Sequence, residues 1–405
     1  MAKHAIASPS HSSTWLACAN SLAAQIGQPE GDKTAADLGS DKHDLLTTCL
    51  ENATQAAKYI GQVGPFGNSI DEEFAKDVQT VVDNVRARID NYRNLGCSVI
   101  VELEQSLPIE HITGETDATG TGDVVLIVGW PDGHSTADVI DAKFGYSEVL
   151  AEMNPQLLMY ASGVLEKFGL VEDFSEITLV IEQPLRGDSE WTVTPAVIHE
   201  WVETVASPAA VKALAIHNDK LTLLDADYGV TEKGCQWCKA SAVCPARRKH
   251  VEDAIGASFD QLNNEDATIS ANIIPVDQLG HFFAQLETIE DWINAVRARV
   301  EHELFNGVVI PGLKVVAGKR GNRAWSNDKE AEALLKKFKL PVDQIYKKEL
   351  LGPKPILELL KRSPRRFKQV EQFVIQAEGK PHVALDSDKR PALEIKPVDD
   401  GFELC

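Results

Sequence analysis

Four cysteines constrain this chain more than any other feature: Cys18 stands near the start, and Cys235, Cys238 and Cys244 stand together much later, in GCQWCKASAVCPA. A C-x2-C-x5-C array with one remote thiol offers four soft ligands, a set that suits zinc or an iron–sulfur centre. A fold that completes such a centre must bring the start of the chain against the segment beyond residue 230. Everything between is then a long loop closed by metal–sulfur bonds, and closing it removes freedom from the unfolded chain.

A chain of 405 residues, 43% of them apolar, is long enough for two domains and a substantial core. Its apolar runs, such as VVLIVGW, are far shorter than the roughly 20 residues of a membrane span, and MAKHAIASPS lacks a signal-peptide core. The expectation is a soluble, cytoplasmic protein with no membrane partner. Seven cysteines in that setting are expected to be reduced, some of them as metal ligands. Cys49 and Cys97 have apolar neighbours and read as small buried hydrophobes, while Cys405 is left over.

The net charge of −21 argues against a nucleic-acid partner, because Lys and Arg drive phosphate binding. The average hides an asymmetry. Between Lys314 and Lys368 there are 16 Lys and Arg against 6 Asp and Glu, so this stretch carries +10 and the remainder −31. Such a stretch is either a solvated helical surface or one face that meets a polyanion.

Apolar spacing predicts helices over Ser12–Gln25, Thr34–Ile60 and Ile70–Asn94, the last with Phe74, Val78, Val81, Val82, Val85 and Ile89 on one face. Runs rich in β-branched residues predict strands in SVIVELEQSL, GDVVLIV, STADVIDAK and ITLVIEQP. Between the last two, NPQLLMYASGVLEKFG reads as a crossover helix. The predicted fold class is α/β, a mixed sheet with N-terminal helices over 1–255. The polar ASFDQLNNEDATISANIIP marks the boundary to a second, α+β accessory domain over 256–405. That domain opens with a long amphipathic helix ending at Gly307. It continues through short strands in GLKVVAGKRGNRAW and basic helices to a proline-containing tail, Glu378 to Cys405, read as a strap or loosely ordered.

The chemistry lies between Cys18 and Cys235. Asp123 opens a strand, Asp141 ends a neighbouring run, and Lys143 stands two residues further on. Residues two apart in a strand share a face, so Asp141 and Lys143 look into one site and Asp123 can join them from the adjacent strand. Paired carboxylates suit Mg²⁺ or Mn²⁺, and a lysine beside them can position water or offset charge on a phosphate under attack.

Asp123 followed by Asp141-Ala142-Lys143 resembles the PD-(D/E)XK nuclease signature, and further residues extend the likeness to its RecB-like branch. Gly39-Ser40-Asp41-Lys42-His43 matches a G-x3-H pattern, and Gln156 with Tyr160 forms Q-x3-Y, a spacing that puts both on one helical face. The resemblance implies a restriction-endonuclease-like core. It implies His43, Asp123, Asp141 and the main-chain carbonyl of Ala142 as metal ligands, Lys143 serving the attacking water, and Gln156 and Tyr160 orienting the scissile strand. One departure is the aspartate at 141, where the family more commonly has glutamate.

The cysteine order, one before the nuclease core and three after, is similar to that of AddB-type nucleases and of the CRISPR-adaptation nucleases. There the four hold a 4Fe–4S cluster, which implies the same for Cys18, Cys235, Cys238 and Cys244, with zinc as the other occupant. SPSHSSTWLACANS, NPQLLMYA, PGLKVVAGKRGNRAW and SDKRPAL together look like an uncharacterised phage- and prophage-associated family of RecB-like nucleases.

The expected activity is therefore a Mg²⁺- or Mn²⁺-dependent DNA exonuclease that processes ends in phage recombination or replication, inside the bacterial host cell. Expected partners are DNA, a phage single-strand-binding or annealing protein, and further copies of the chain. The alternatives are a nuclease-derived module that binds DNA or a recombination partner without cutting, and a zinc-stapled structural protein.

Overall fold

The computed structural model describes residues 5–31, 33–255 and 276–313. The chain forms two units, Met1–Lys314 and Val315–Cys405, and the sheet with its helices belongs to the first. The basic stretch from Lys314 to Lys368, GLKVVAGKRGNRAW beyond Leu313, the whole polar ASFDQLNNEDATISANIIP segment, SDKRPAL and the tail to Cys405 lie outside the described residues. The expected boundary at 255/256 also falls at the edge of the described residues.

The helices before the sheet are α1 (Ser12–Ala17), α2 (Ser21–Ala24), α3 (Thr34–Glu51) and α4 (Glu72–Asn94). Strand β1 (Ser98–Pro108), the one-turn α5 (Glu110–Thr113), β2 (Thr119–Gly129) and β3 (Ser135–Ala142) come next. Helix α6 (Pro155–Phe168) crosses to β4 (Phe174–Glu182), which turns into β5 (Ser189–Val193). The remaining helices are α7 (Pro195–Trp201), α8 (Ser207–His217), α9 (Glu232–Gln236), α10 (Pro245–Ile255) and α11 (Val276–Phe305).

The sheet order is β1-β2-β3-β4-β5. Strands β1, β2 and β3 form an antiparallel meander, β3 and β4 pair in parallel through the α6 crossover, and β5 returns antiparallel. This is the mixed α/β core expected from the sequence, with helices on both faces. One layer packs Val125, Ile127, Ala137, Val139, Leu179 and Ile181 against α6 and Trp15. The other packs Val124, Leu126, Val128, Ile140 and Val180 against the apolar stripe of α4 and against Leu45 and Leu46 of α3. Cover on both sides is why the central strands read as unbroken apolar runs.

Local chemistry sets the element ends. Asp71 caps α4 by accepting from Phe74 N at 2.8 Å, and Asn154 caps α6 by accepting from Gln156 N and Leu157 N, with Pro155 at the first helical position. Two predicted helices are shorter than their spacing suggested. The one from Thr34 stops at Glu51, where Asn52 caps it and Ala53 turns into the left-handed region, leaving a 3-10 turn over Ala56–Tyr59. The one from Ser12 breaks at Cys18, whose extended backbone turns its thiol out of the helix. Strand β5 was not anticipated, because SEWTV is short and only Val193 is buried. Helix α11 packs against α9 and α10. Among the described residues no helix is long and apolar enough to cross a membrane.

Candidate functional site

At one end of the sheet the predicted residues come together. Asp123, one residue before β2 begins to pair with β3, and Asp141 near the end of β3 project toward α6, as their parity with Val125 and Val139 requires. His43 reaches in from α3, its Nδ1 3.2 Å from Asp123 Oδ2, and the same oxygen accepts from Ala142 N at 2.8 Å. Lys143 Nζ lies 2.6 Å from Asp141 Oδ2 and donates to Gln156 Oε1 at 2.9 Å.

Gln156 ties the group together. Its Nε2 donates to Asp141 Oδ1 and to Tyr160 Oη, both at 3.0 Å. Both amide hydrogens and the carbonyl are thus engaged, so Gln156 positions the acid and the lysine, and Tyr160, accepting there, keeps its own hydrogen free to donate. A Cβ on Gly120 would come within 2.8 Å of the Tyr160 ring, so glycine at this position of β2 lets the ring sit against the sheet.

The carboxylates differ in their electrostatics. Burial works to raise Asp123, but His43, the Ala142 N–H and Lys143 outweigh it and hold the group below the usual carboxylate range. At Asp141 burial prevails over Lys143, and the group sits above that range. Burial opposes the charged forms of His43 and Lys143, but Asp123 and Asp141 respectively overcome it and raise both. Asp141 Oδ2 is buried and has no hydrogen-bond partner. Its close neighbour is Lys143 Nζ, with which it forms an ion pair.

By donor chemistry the residues present suit a hard divalent cation: two buried carboxylates beside an imidazole and a main-chain carbonyl. Among the described residues no three His, Cys, Asp or Glu side chains, the four cysteines included, stand together in metal-holding geometry; Asp123 pairs with His43 and Asp141 with Lys143.

Two contributors were not legible in the sequence. Glu104 lies in SVIVELEQSL, read from the sequence only as a strand. In the structure it lies directly opposite Asp123, at the one step missing from the β1–β2 ladder, with φ 46° and its carboxylate on Thr47 Oγ1 at 3.2 Å. Burial, and then Asp123, raise its carboxyl above the usual range. Phe144 packs edge-on against His43 at 5.3 Å and also lies under Lys42, which pairs with Asp77 at 2.7 Å. Strand register, which spacing does not give, places Glu104 there, and nothing in the sequence marked Phe144.

The four cysteines also converge. Cys18, Cys235, Cys238 and Cys244 line one pocket. The two arms dock directly: Asn20 N donates to Asp227 O at 3.2 Å, and Lys239 N to Gln25 Oε1 at 3.2 Å. Gly229 passes so close to α1 that a Cβ there would lie 1.7 Å from Ala17 O. Burial pushes the Cys235 thiol up and carries Cys238 up to about 11, with the neighbouring cysteines adding to both. Cys49 and Cys97 are buried, each in the core beside α4.

Fold and site together define a mixed α/β protein with a carboxylate–lysine cluster at one sheet end and a four-thiol pocket joining its two chain arms. The chain belongs to the family described as "Protein of unknown function (DUF2800)", whose model matches residues 4–391. Among solved structures, the crystal structure of SSO0001 aligns with 13% identity and a TM-score of 0.22, over 53% of this chain and 98% of that one.

Proposed function

We propose that the protein is a divalent-metal-dependent deoxyribonuclease of the RecB-like PD-(D/E)XK type, acting as an exonuclease on DNA ends in phage recombination or replication. One observation carries the reading: Asp141 and Lys143 are cross-linked by Gln156, and Asp123 comes in beside them from β2, held by His43 and the Ala142 N–H. Asp123, Asp141, His43 and the Ala142 carbonyl are the groups that would hold Mg²⁺ or Mn²⁺. Such an ion supplies an activated water and charge stabilisation at the phosphate.

The side chains supply the rest. Lys143, steadied by Asp141 and Gln156, places a positive charge where an attacking water or a phosphoryl oxygen would stand. Tyr160 offers its free hydrogen to a phosphate oxygen and fixes the strand. Cys18, Cys235, Cys238 and Cys244 are read as ligands of a 4Fe–4S cluster, zinc being the other occupant, and their role is to clasp the two arms of the nuclease unit.

The test is anaerobic purification with iron, sulfide and zinc analysis, then digestion of end-labelled duplex and single-stranded DNA with Mg²⁺ or Mn²⁺. Cleavage is expected to need the metal and to vanish in Asp141→Ala and Lys143→Ala. Cleavage that persists in those variants, purified free of host nucleases, refutes the assignment. DNA association that survives EDTA, with no cleavage under any metal, supports the binding-module reading instead; the pairing of each acid with its own cation favours that alternative.

A further inference from the structure

Arg247, three residues beyond Cys244 on α10, lines the same pocket as the four cysteines and is 2% exposed. Its Nη1 donates to Cys235 O at 3.0 Å and to Ser241 Oγ, and its Nη2 reaches Thr288 O at 3.4 Å. Its Nε–H has no hydrogen-bond partner among the described residues. The nearest carboxylate paired with it, Asp291, stands 3.9 Å away with its side chain 37% exposed.

Two accounts therefore fail to close on the protein alone. A guanidinium stripped of water needs an anion close by, and a buried donor left without an acceptor costs about 1–3 kcal/mol. Arg247 lines the thiol pocket, so both deficits lie beside it. Four cysteines that bind metal do so as thiolates, which bring negative charge and sulfur acceptors into the pocket that Arg247 lines.

We propose that Arg247 is the counter-cation of a sulfur-ligated metal centre in this pocket, donating its Nε–H to a sulfur and so setting the centre's stability and reduction potential. The proposal rests on the reading of the four cysteines as ligands. Arg247 also fixes the ligand loop through Cys235 O, and its charge acts against the burial that pushes the Cys235 thiol up. It is a positioning and tuning residue, separate from the carboxylate site.

Arg247→Lys keeps a charge but loses the Nε donor and the planar fork; Arg247→Met loses both. Each variant of the full chain is purified anaerobically and followed by metal and sulfide content, by the rate of metal release to a chelator, and by midpoint potential where iron is present. Partners of metal ligands are typically worth about 10–100-fold in metal affinity, so release is expected to quicken by at least about tenfold in the Met variant and less in the Lys variant. The potential should fall in the same order, since lost positive charge disfavours the reduced centre. Ser241→Ala, which removes only an Nη1 contact, should leave the potential unchanged and so separates tuning from simple structural support.

Unchanged release and potential in variants that load metal like the wild type overturn the proposal while leaving the centre intact. A wild-type protein with neither iron nor zinc on its thiols overturns the cysteine reading and the proposal together. If Arg247→Met fails to fold, Arg247→Lys carries the comparison.

Discussion

Removing Arg88 should destabilise the sheet that carries Asp141, and the penalty should depend on pH. Asp138 lies in the middle of β3, three residues before Asp141, with its side chain 1% exposed. Its carboxylate is met from α4 by Arg88 Nη1 at 3.2 Å and by Tyr92 Oη at 2.9 Å. Arg88→Met would leave that carboxylate buried with one neutral donor. Breaking a buried ion pair by removing one partner costs about 3–5 kcal/mol. Arg88 is itself 18% exposed, so water can partly replace it, and the lower end, about 3 kcal/mol, is expected. In a protein of 405 residues that is a fall in Tm of about 3–5 °C.

The pH dependence follows from the direction of the Asp138 shift. Burial raises this carboxyl, and Arg88 and Tyr92 only partly offset it. Without Arg88 the folded value rises further above the unfolded one, so the folded variant takes up a proton that the unfolded chain has released. Stability of the variant must then fall as pH rises through that window, and the gap to wild type must widen. Urea unfolding at about pH 5 and about pH 8 measures it, with Arg88→Met/Asp138→Asn as the control that removes the orphaned charge. A loss below about 1 kcal/mol at the higher pH, or an equal loss at both, would refute the reasoning.

A second titration behaves in the same sense: burial carries the Glu182 carboxyl up to about 7, with Asn84 pulling back and Asp188 adding to the rise. Ionised Glu182 therefore weakens the fold as pH rises from its unfolded value of 4.5 toward about 7, so Glu182→Gln should stabilise by at most about 3 kcal/mol near about pH 8 and gain nothing in acid, as chemical denaturation would report. Gly229→Ala should push α1 away from the cysteine segment and lower bound metal several-fold, while circular dichroism of the sheet stays close to wild type; full metal loading would contradict the close approach at Ala17 O. Gln156→Ala should lower kcat by about 10–100-fold with little change in KM, because it frees Lys143 and Tyr160 without removing either. An unchanged kcat would mean that Gln156 positions nothing of consequence.

The chain itself announced what repeats at the period of one element. Asp141 and Lys143 share a strand face, Gln156 and Tyr160 share a helix face, and Cys235, Cys238 and Cys244 share one short segment. Those relations are fixed by local geometry, so spacing alone reveals them, as it revealed four of the five strands and the stripe of α4. Distances between elements are set by packing, and spacing is silent about them. Tertiary structure brought Cys18 to the other thiols by breaking a helix that its spacing would have continued, and it set Glu104 opposite Asp123 through strand register. It also buried Arg247 against the thiol pocket. A lone arginine after a cysteine looks like surface in any sequence; only a fold that strips its water and leaves one donor unmet gives it a partner to seek.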